Sequence, residues 1–191
     1  LRPAVLRHFA RDHPHPACAR VPAGHRAVDA GHDASLIRIA DLDFPILQTP
    51  FDFQNQPTPV PLHPARDLLL AADHVVLVYP LWLGTLPAYT KAFLEQIFHY
   101  DTAFERGADD AWPKGKMKGK SARIVVTMGM PSLFYRLWYR AHSLKSLERN
   151  IFRFIGFSHV RSTLFGMVEA ADDTKISSWK RKMSTLGQKA Q

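Results

Sequence analysis

The stretch VVLVYPLWLGTLPAYTKAFLEQIFHY, Val75 to Tyr100, decides the fold class. It opens on a short apolar run, Val75 to Tyr79, rich in β-branched residues and bounded by turn residues, which is typical of a strand buried on both faces of a parallel sheet. A turn with proline, glycine and Trp82 follows, and then an amphipathic helix pattern. Pro87 suits the first position of that helix, where its missing N–H has no intrahelical partner.

The rest of the chain repeats this alternation of short apolar runs and helix patterns. Further strands are predicted at Ala34 to Ala40, at Ala122 to Met128 and within Ser158 to Val168. A long proline-rich loop is predicted between Asp41 and Pro64. Strands that alternate with helices predict βαβ units and a mostly parallel sheet. The remaining helices are predicted at Ala65 to Ala72, from Leu133 to about Phe154 with Gly156 as the stop, and from Asp172 to Gln188 with Asp172 or Asp173 as the cap.

The amino-terminal 30 residues give a weaker pattern than the rest. Val5, Leu6 and Phe9 fit a strand that charged residues interrupt, and residues 17–30 fit a short helix weakened by Pro22. No domain boundary or internal repeat is visible, so residues 1–191 are predicted to form a single domain with an atypical start.

Composition narrows the class of protein. The chain has 191 residues, of which 46% are hydrophobic, and this suffices for a sizeable core. The net charge of +8 suggests an anionic partner, but the basic residues are scattered and no nucleic-acid motif accompanies them. No nucleic acid partner is therefore predicted, and a phosphorylated cofactor suits the charge. The single Cys18 and the lack of a long apolar stretch predict a cytoplasmic protein without a transmembrane segment.

Four pieces of sequence resemble one protein family when taken in order. They are GHDASLIRIADLDF from Gly31, AADHVVLVYPLWLGTLPAYTKAFLEQIF from Ala71, GKSARIVVTMGMP from Gly119 and FIGFSHV from Phe154. Together they are similar to the flavodoxin-like NAD(P)H:quinone oxidoreductases, the DT-diaphorase and modulator-of-drug-activity type. The resemblance implies a doubly wound α/β fold, a five-stranded parallel sheet of order 2-1-3-4-5 with helices on both faces.

The same resemblance implies a flavin enzyme. It implies a bound FMN or FAD, NADPH or NADH as the electron donor, a quinone-like small molecule as the acceptor, ping-pong two-electron transfer and a homodimer. A flavin needs a flat apolar slot with backbone donors near its ring. Hydride transfer depends on positioning, so such a site needs no charged catalytic residue.

Two loops match the family's flavin-contacting loops, and both follow predicted strands, where ligands of open α/β sheets bind. The first is the turn after Val75 to Tyr79, and the second follows Ala122 to Met128. An alternative for the tryptophan of the first loop is ordinary packing in the core or in a dimer interface. The residues carried over are Pro80, Leu81, Trp82, Leu83 and Gly84 in the first loop, and Thr127, Met128 and Gly129 in the second.

Tyr135 and His142 follow the second loop. In many family members a tyrosine and a histidine there contact the quinone and handle charge on the reduced flavin, so the resemblance implies catalytic roles for both. His142 is displaced by about one position from the diaphorase pattern, and its alternative is a histidine on a helix surface.

The chain departs from the family where the flavin phosphate is held. His13 and Pro14 match the family's His-Pro turn, and Cys18 stands where a serine is usual. A thiol is a poorer hydrogen-bond donor to phosphate than a hydroxyl. In the second loop Met130 stands where the family usually has a glycine. A glycine at that position would allow close approach of the backbone.

A basic series follows the second loop: Arg136, Arg140, Lys145, Arg149 and Arg153. Steps of four place Arg136 with Arg140, and Arg149 with Arg153, on common helix faces. A solvated face is one interpretation, and a clamp for the 2′-phosphate of NADPH is the other.

Phe51 and Phe53 in the proline-rich loop either cover the flavin or pack over the sheet edge. The amino-terminal histidines lack a cysteine pair or HExxH-like spacing, so no metal is predicted.

Two other function classes stay open. A flavodoxin-type electron carrier would bind no nicotinamide, and such carriers are usually acidic, which disagrees with the charge of +8. A non-catalytic regulatory subunit, such as one ancillary to a potassium-efflux system and so with a peripheral membrane partner, would tolerate weak flavin binding at the altered turn.

Overall fold

A computed structural model describes residues 2–7, 32–105 and 114–189 of the chain. Five parallel strands form one sheet in the order β2-β1-β3-β4-β5, which confirms the predicted doubly wound α/β fold. The strands are β1 Pro3–Arg7, β2 Ser35–Arg38, β3 His74–Pro80, β4 Ser121–Thr127 and β5 His159–Phe165.

Helices connect the strands. Asp172 caps the last helix, since its carboxylate accepts a hydrogen bond from the Lys175 backbone N–H at 2.7 Å, as predicted. Short 3₁₀ turns lie at Ile39–Asp41 and Val60–Leu62. The helices are α1 Pro50–Asn55, α2 His63–Ala71, α3 Ala88–Ile97, α4 Tyr100–Ala103, α5 Ser132–Leu137, α6 His142–Ser146, a π-helical segment Leu147–Arg153, and α7 Asp173–Gln188.

The two faces of the sheet carry cores of different size. The larger core joins alternate residues of the central strands to α2, α3 and the segment that follows β4, and includes Leu77, Phe93 and Phe152. The smaller core includes Val76 and Val125 and is covered by Met183 of α7. Burial on both faces explains the continuous apolar runs of β3 and β4.

The predicted loop between Asp41 and Pro64 is wrong in part, because it contains α1. Thr49 accepts a hydrogen bond from the Asp52 backbone N–H, and the Asp52 carboxylate accepts one from the Thr49 N–H. This reciprocal capping box, with Pro50 at the start of the helix, stabilises α1. The prolines of the surrounding segment had led to the prediction of a loop there.

The helical region predicted from Leu133 to about Phe154 is confirmed in part, since it is helical but interrupted. The helix is interrupted after α5, where Arg140 and Ala141 adopt left-handed φ values of 50° and 49°. Arg136 and Arg140 therefore do not share one helix face. The predicted stop at Gly156 is confirmed: its φ is +107°, and a Cβ there would lie 2.7 Å from the Gly115 carbonyl oxygen.

Candidate functional site

The carboxyl ends of β3 and β4 lie side by side and carry the two loops singled out in the sequence. Pro80 pairs with Thr127 at the last position of the ladder. Beyond it, the Leu81 backbone N–H donates to the Thr127 carbonyl oxygen at 2.7 Å. The two loops thus begin from one hydrogen-bonded platform at the sheet edge where α/β proteins bind ligands.

The loop after β3 is a tight turn that holds apolar side chains in solvent. Trp82 and Thr85 exchange two backbone hydrogen bonds of 2.9 and 3.0 Å. Between them Leu83 and Gly84 have φ values of 47° and 81°, the pattern of a type I′ turn. Trp82 is 52% exposed and Leu83 105% exposed, so neither belongs to the core of this chain. An exposed apolar pair on a strained backbone is typical of a binding surface.

The loop after β4 is held by an extension of the β4–β5 pairing. The Met128 N–H donates to the Phe165 carbonyl oxygen, and the Met130 carbonyl oxygen accepts from the Met167 N–H. Gly166 lets these segments meet, because a Cβ there would lie 2.4 Å from the Ser132 nitrogen. Met130 is half-buried, and the left-handed φ in this region belongs to Met167 instead.

Backbone donors on both loops face solvent. Within the described residues, the N–H groups of Leu83, Gly84 and Gly129 have no hydrogen-bond partner, and all three residues are exposed. A Cβ on Gly129 would meet only the Glu169 carboxylate, at 3.6 Å. Free amides beside an apolar aromatic surface fit the ring of a flavin, which needs both.

A cavity of about 500 Å³ opens beside Trp82 and is large enough for a ring system. Lys91 is the one cation among its lining residues, and it is ion-paired with Glu95 one helical turn later. Sequence reasoning missed Lys91, which lies in α3. It also missed Ser143 and Ser146, because the wall of the cavity that they form comes from a segment distant in sequence. The cavity is lined by Trp82, Leu83, Thr85, Leu86, Pro87, Ala88, Lys91, Ser143, Ser146, Leu147 and Ile151.

Tyr135 is connected to this cavity through a hydrogen bond to one of its lining residues. Its ring is 2% exposed in α5, and its hydroxyl lies 2.8 Å from the Oγ of Ser143, which lines the cavity. The Leu144 N–H also donates to the Tyr135 hydroxyl oxygen, at 3.4 Å. His142 is exposed at the first residue of α6, beyond the left-handed break.

Tyr79, at the end of β3, is a buried neighbour of this network. Burial raises its pKa, and the nearby Tyr135 and Glu148 raise it further. Tyr79 therefore stays protonated at physiological pH.

The other residues predicted from the sequence lie apart from this cavity. His13 and Cys18 fall outside the described residues, as does the helix predicted at 17–30. Phe51 is exposed on α1, and Phe53 contacts His99 edge-on at 5.7 Å. All five members of the basic series are exposed. Within the described ranges, no group of three potential ligands could hold a metal, and none of the helices is long and apolar enough to cross a membrane.

Comparisons with known proteins agree with this geometry. A family model described as flavodoxin-like fold (Flavodoxin_2) matches residues 15–186. An uncharacterized NAD(P)H oxidoreductase of Haemophilus influenzae is 28% identical over 116 residues, which are 60% of this chain and 56% of that protein. An FMN-dependent NADH:quinone oxidoreductase of Erythrobacter litoralis is 31% identical over 112 residues, 58% of this chain and 54% of that protein. The chain thus spans just over half the length of these curated relatives.

One solved structure extends the likeness over nearly the whole chain. The NAD(P)H:quinone oxidoreductase from Methanothermobacter marburgensis superposes with a TM-score of 0.77, covering 98% of this chain and 95% of that one. Its sequence identity is 16%, so this likeness concerns the fold alone.

Proposed function

This chain belongs to the flavodoxin-like fold family, and from that premise we propose that it is a flavin-dependent NAD(P)H:quinone oxidoreductase. The observation that carries the proposal is the pair of loops at the carboxyl ends of β3 and β4. They offer exposed apolar side chains, free backbone donors and an adjoining cavity at one edge of the sheet. The relatives named above, an NAD(P)H oxidoreductase and an FMN-dependent NADH:quinone oxidoreductase, support this activity.

The residues at this edge suit the flavin ring. In the proposed site, Trp82 and Leu83 lie along an FMN or FAD ring, and the N–H groups of Gly84 and Gly129 donate to its polar edge. Pro80, Leu81 and Thr127 hold the two loops in register through the end of the β3–β4 ladder, and Met128 fixes the second loop to Phe165 at the end of β5. The phosphate turn is assigned to His13 and Cys18 from the family resemblance.

The chain supplies binding and orientation. When bound, a flavin supplies two-electron redox chemistry between NADPH or NADH and a quinone. The net reaction converts NAD(P)H, a quinone and a proton into NAD(P)⁺ and a hydroquinone. Donor and acceptor share the cavity beside Trp82 and enter in turn, which gives ping-pong kinetics. Tyr135, through Ser143, and His142 are assigned to the acceptor end of the site.

We also propose that residues 1–191 act as a single domain, as a homodimer, in the cytoplasm. Exposed apolar residues cluster on and after α5, where Phe134 and Trp138 stack with ring centroids 6.0 Å apart. A monomer rarely exposes such a patch, so a second copy is assigned to cover it. A reducing compartment suits a chain with one cysteine. The exposed residues of this patch are Leu133, Phe134, Leu137, Trp138 and Tyr139.

The visible absorption spectrum tests the function directly. Purified protein is recorded before and after incubation with FMN or FAD and desalting. A retained flavin band that bleaches with NADPH or NADH and recovers with a quinone supports the oxidoreductase. Retention of neither flavin would contradict it and favour the non-catalytic regulatory subunit.

A tryptophan pair locates the flavin. Trp82→Ala is expected to weaken flavin binding about tenfold, because an aromatic contact to the ring is worth roughly 1 kcal/mol beyond area burial. Trp179→Ala is the matched control, since Trp179 packs on α7 against the smaller core. Equal flavin affinity in both variants would contradict the proposed position of the flavin ring beside the β3 loop.

A further inference from the structure

Two adjoining apolar compartments form a groove between α3 and residues 143–155, the first of them at the proposed flavin site. This first compartment is the cavity beside Trp82. A second compartment, of about 220 Å³, lies further along α3, and Phe53 and Phe104 are among its lining residues. Lys91 and Ile151 line both compartments, so the two are direct neighbours.

The groove has the length and chemistry of a site for an extended apolar chain. Along α3 its wall runs from Ala88 to Phe98, which at 1.5 Å per residue is about 15 Å. Leu147 and Phe154 belong to the opposite wall. Lys91 is the cation at the junction, and its pairing with Glu95 leaves the groove without an uncompensated charge there.

The far compartment of the groove does not suit the cofactors of the proposed reaction. Phosphates, ribose and the nicotinamide amide would each lose hydration against its apolar walls, and its lining cation Lys91 is already paired with Glu95. A linear hydrocarbon, by contrast, gains free energy with every methylene that it buries.

We propose that this groove binds the prenyl tail of a quinone acceptor whose ring lies beside Trp82. The inference rests on the proposed function and specifies its substrate as a tailed, lipid-type quinone. With single bonds near 1.5 Å, an extended isoprene unit spans about 5 Å. The ring occupies the first compartment, so the wall left for the tail runs from Lys91 to Phe98, about 10 Å at 1.5 Å per residue, and holds about two units. Further units would extend past Phe53 into solvent.

Kinetics with quinones that share one ring and carry from no to five isoprene units test the length of the groove. The KM is expected to fall about tenfold per unit up to about the second and then to stay constant, with kcat unchanged. Burial of one methylene is worth about fourfold, so tenfold per unit assumes only partial burial. A KM that is independent of tail length, or one that falls steadily through the fifth unit as general partitioning would give, overturns the proposal.

Binding of the tail alone separates this inference from the enzymatic activity. Farnesol, a three-unit prenyl alcohol, is titrated while protein fluorescence and thermal stability are followed. If short quinones are reduced but farnesol does not bind, the groove assignment is wrong and the function stands. If farnesol binds but no quinone is reduced, the proposed function and this acceptor both fall.

A variant that fills the far compartment tests its position. Asn150 is exposed and lines that compartment, so Asn150→Trp is expected to weaken farnesol binding about tenfold and move the KM plateau from the second unit to the first. Ser177→Trp adds the same bulk on the exposed side of α7 and should change neither value. Identical behaviour of the two variants would overturn the proposal.

Discussion

The two ends of the β-sheet depart from ordinary protein polarity in opposite ways. At the carboxyl end, Trp82 and Leu83 hold apolar surface in solvent. At the amino end, His74 and Arg123 are basic residues buried to 3% and 5% exposure. Both arrangements cost free energy in isolation, and they differ in whether the chain itself compensates for the cost.

The amino end is compensated in part within the fold, although the Nε2 of His74 and the Nε of Arg123 have no hydrogen-bond partner among the described residues. The Nδ1 of His74 lies 2.7 Å from the Ser121 hydroxyl, and the Arg123 guanidinium donates to the Thr163 hydroxyl at 2.8 Å. Lys120 donates to two backbone carbonyl oxygens at the end of α2. At the carboxyl end, the N–H groups of Leu83 and Gly129 lack partners among the described residues. The exposed apolar pair and free donors support the proposal that the carboxyl end is the ligand site, and the amino end is interpreted as structural.

The largest predicted effect concerns pH and the amino end. Burial, with Arg123 and then Arg161 nearby, lowers the pKa of His74 from 6.5 to about 4. Above pH 6.5 the histidine is neutral in both states, but between 6.5 and about 4 only the unfolded state takes up the proton. The native state therefore loses up to about 3 kcal/mol as pH falls through this window.

Replacement of this histidine isolates the effect. His74→Asn keeps an amide near the Ser121 hydroxyl and cannot titrate, so its unfolding free energy should fall less between pH 6.5 and 4 than that of the parent chain. His159→Asn is the control, because His159 is exposed at the same end of the sheet, on β5. Urea denaturation across that range measures both. A parallel decline in the parent chain and His74→Asn would contradict a structural amino end.

The second prediction tests whether the carboxyl end rests on a rigid support. Gly166→Ala places a Cβ 2.4 Å from the Ser132 nitrogen and 2.7 Å from the Met130 oxygen, both backbone atoms. We expect it to lower the free energy of unfolding by about 2 kcal/mol and to weaken flavin binding, since the β4 loop must shift.

Gly84→Ala is the matched variant on the open β3 loop. A Cβ there meets nothing within 4 Å, and only its φ of +81° opposes the change. The expected loss is about 1 kcal/mol, measured by the same urea titration. A larger loss at Gly84 than at Gly166 would mean that the β3 loop, and not the β4 loop, is the rigid half of the site.

The sequence sufficed for the parts of the molecule that follow from local pattern. β3 and β4 are rich in β-branched residues. Because both faces of these strands are buried, they read as continuous apolar runs without alternating polar residues. The Asp172 cap was predicted for the same local reason. The capping box of Thr49 and Asp52 was an available signal that the surrounding prolines obscured.

The parts that the sequence could not predict depend on contacts between distant segments. Arg140 and Ala141 have ordinary helix propensities, yet the Ala141 N–H donates to the Tyr135 carbonyl oxygen and the helix ends there. An apolar residue in a turn is also compatible with core packing, so the sequence left the exposure of Trp82 open. The groove between α3 and residues 143–155 exists only once those elements pack together.

The smallest predicted effect concerns Tyr135, which is as buried as the amino-end residues but belongs to the ligand end. Tyr135→Phe removes the hydrogen bond to Ser143, and we expect a loss of about 1 kcal/mol in the free energy of unfolding. If the hydroxyl also orients Ser143 toward the acceptor, kcat with a quinone falls severalfold in both Tyr135→Phe and Ser143→Ala. The exposed His142 should affect turnover without affecting stability, and His142→Ala tests this. Lower stability with unchanged turnover in the first two variants would place Tyr135 with His74 and Arg123, among the polar groups that only hold the fold together.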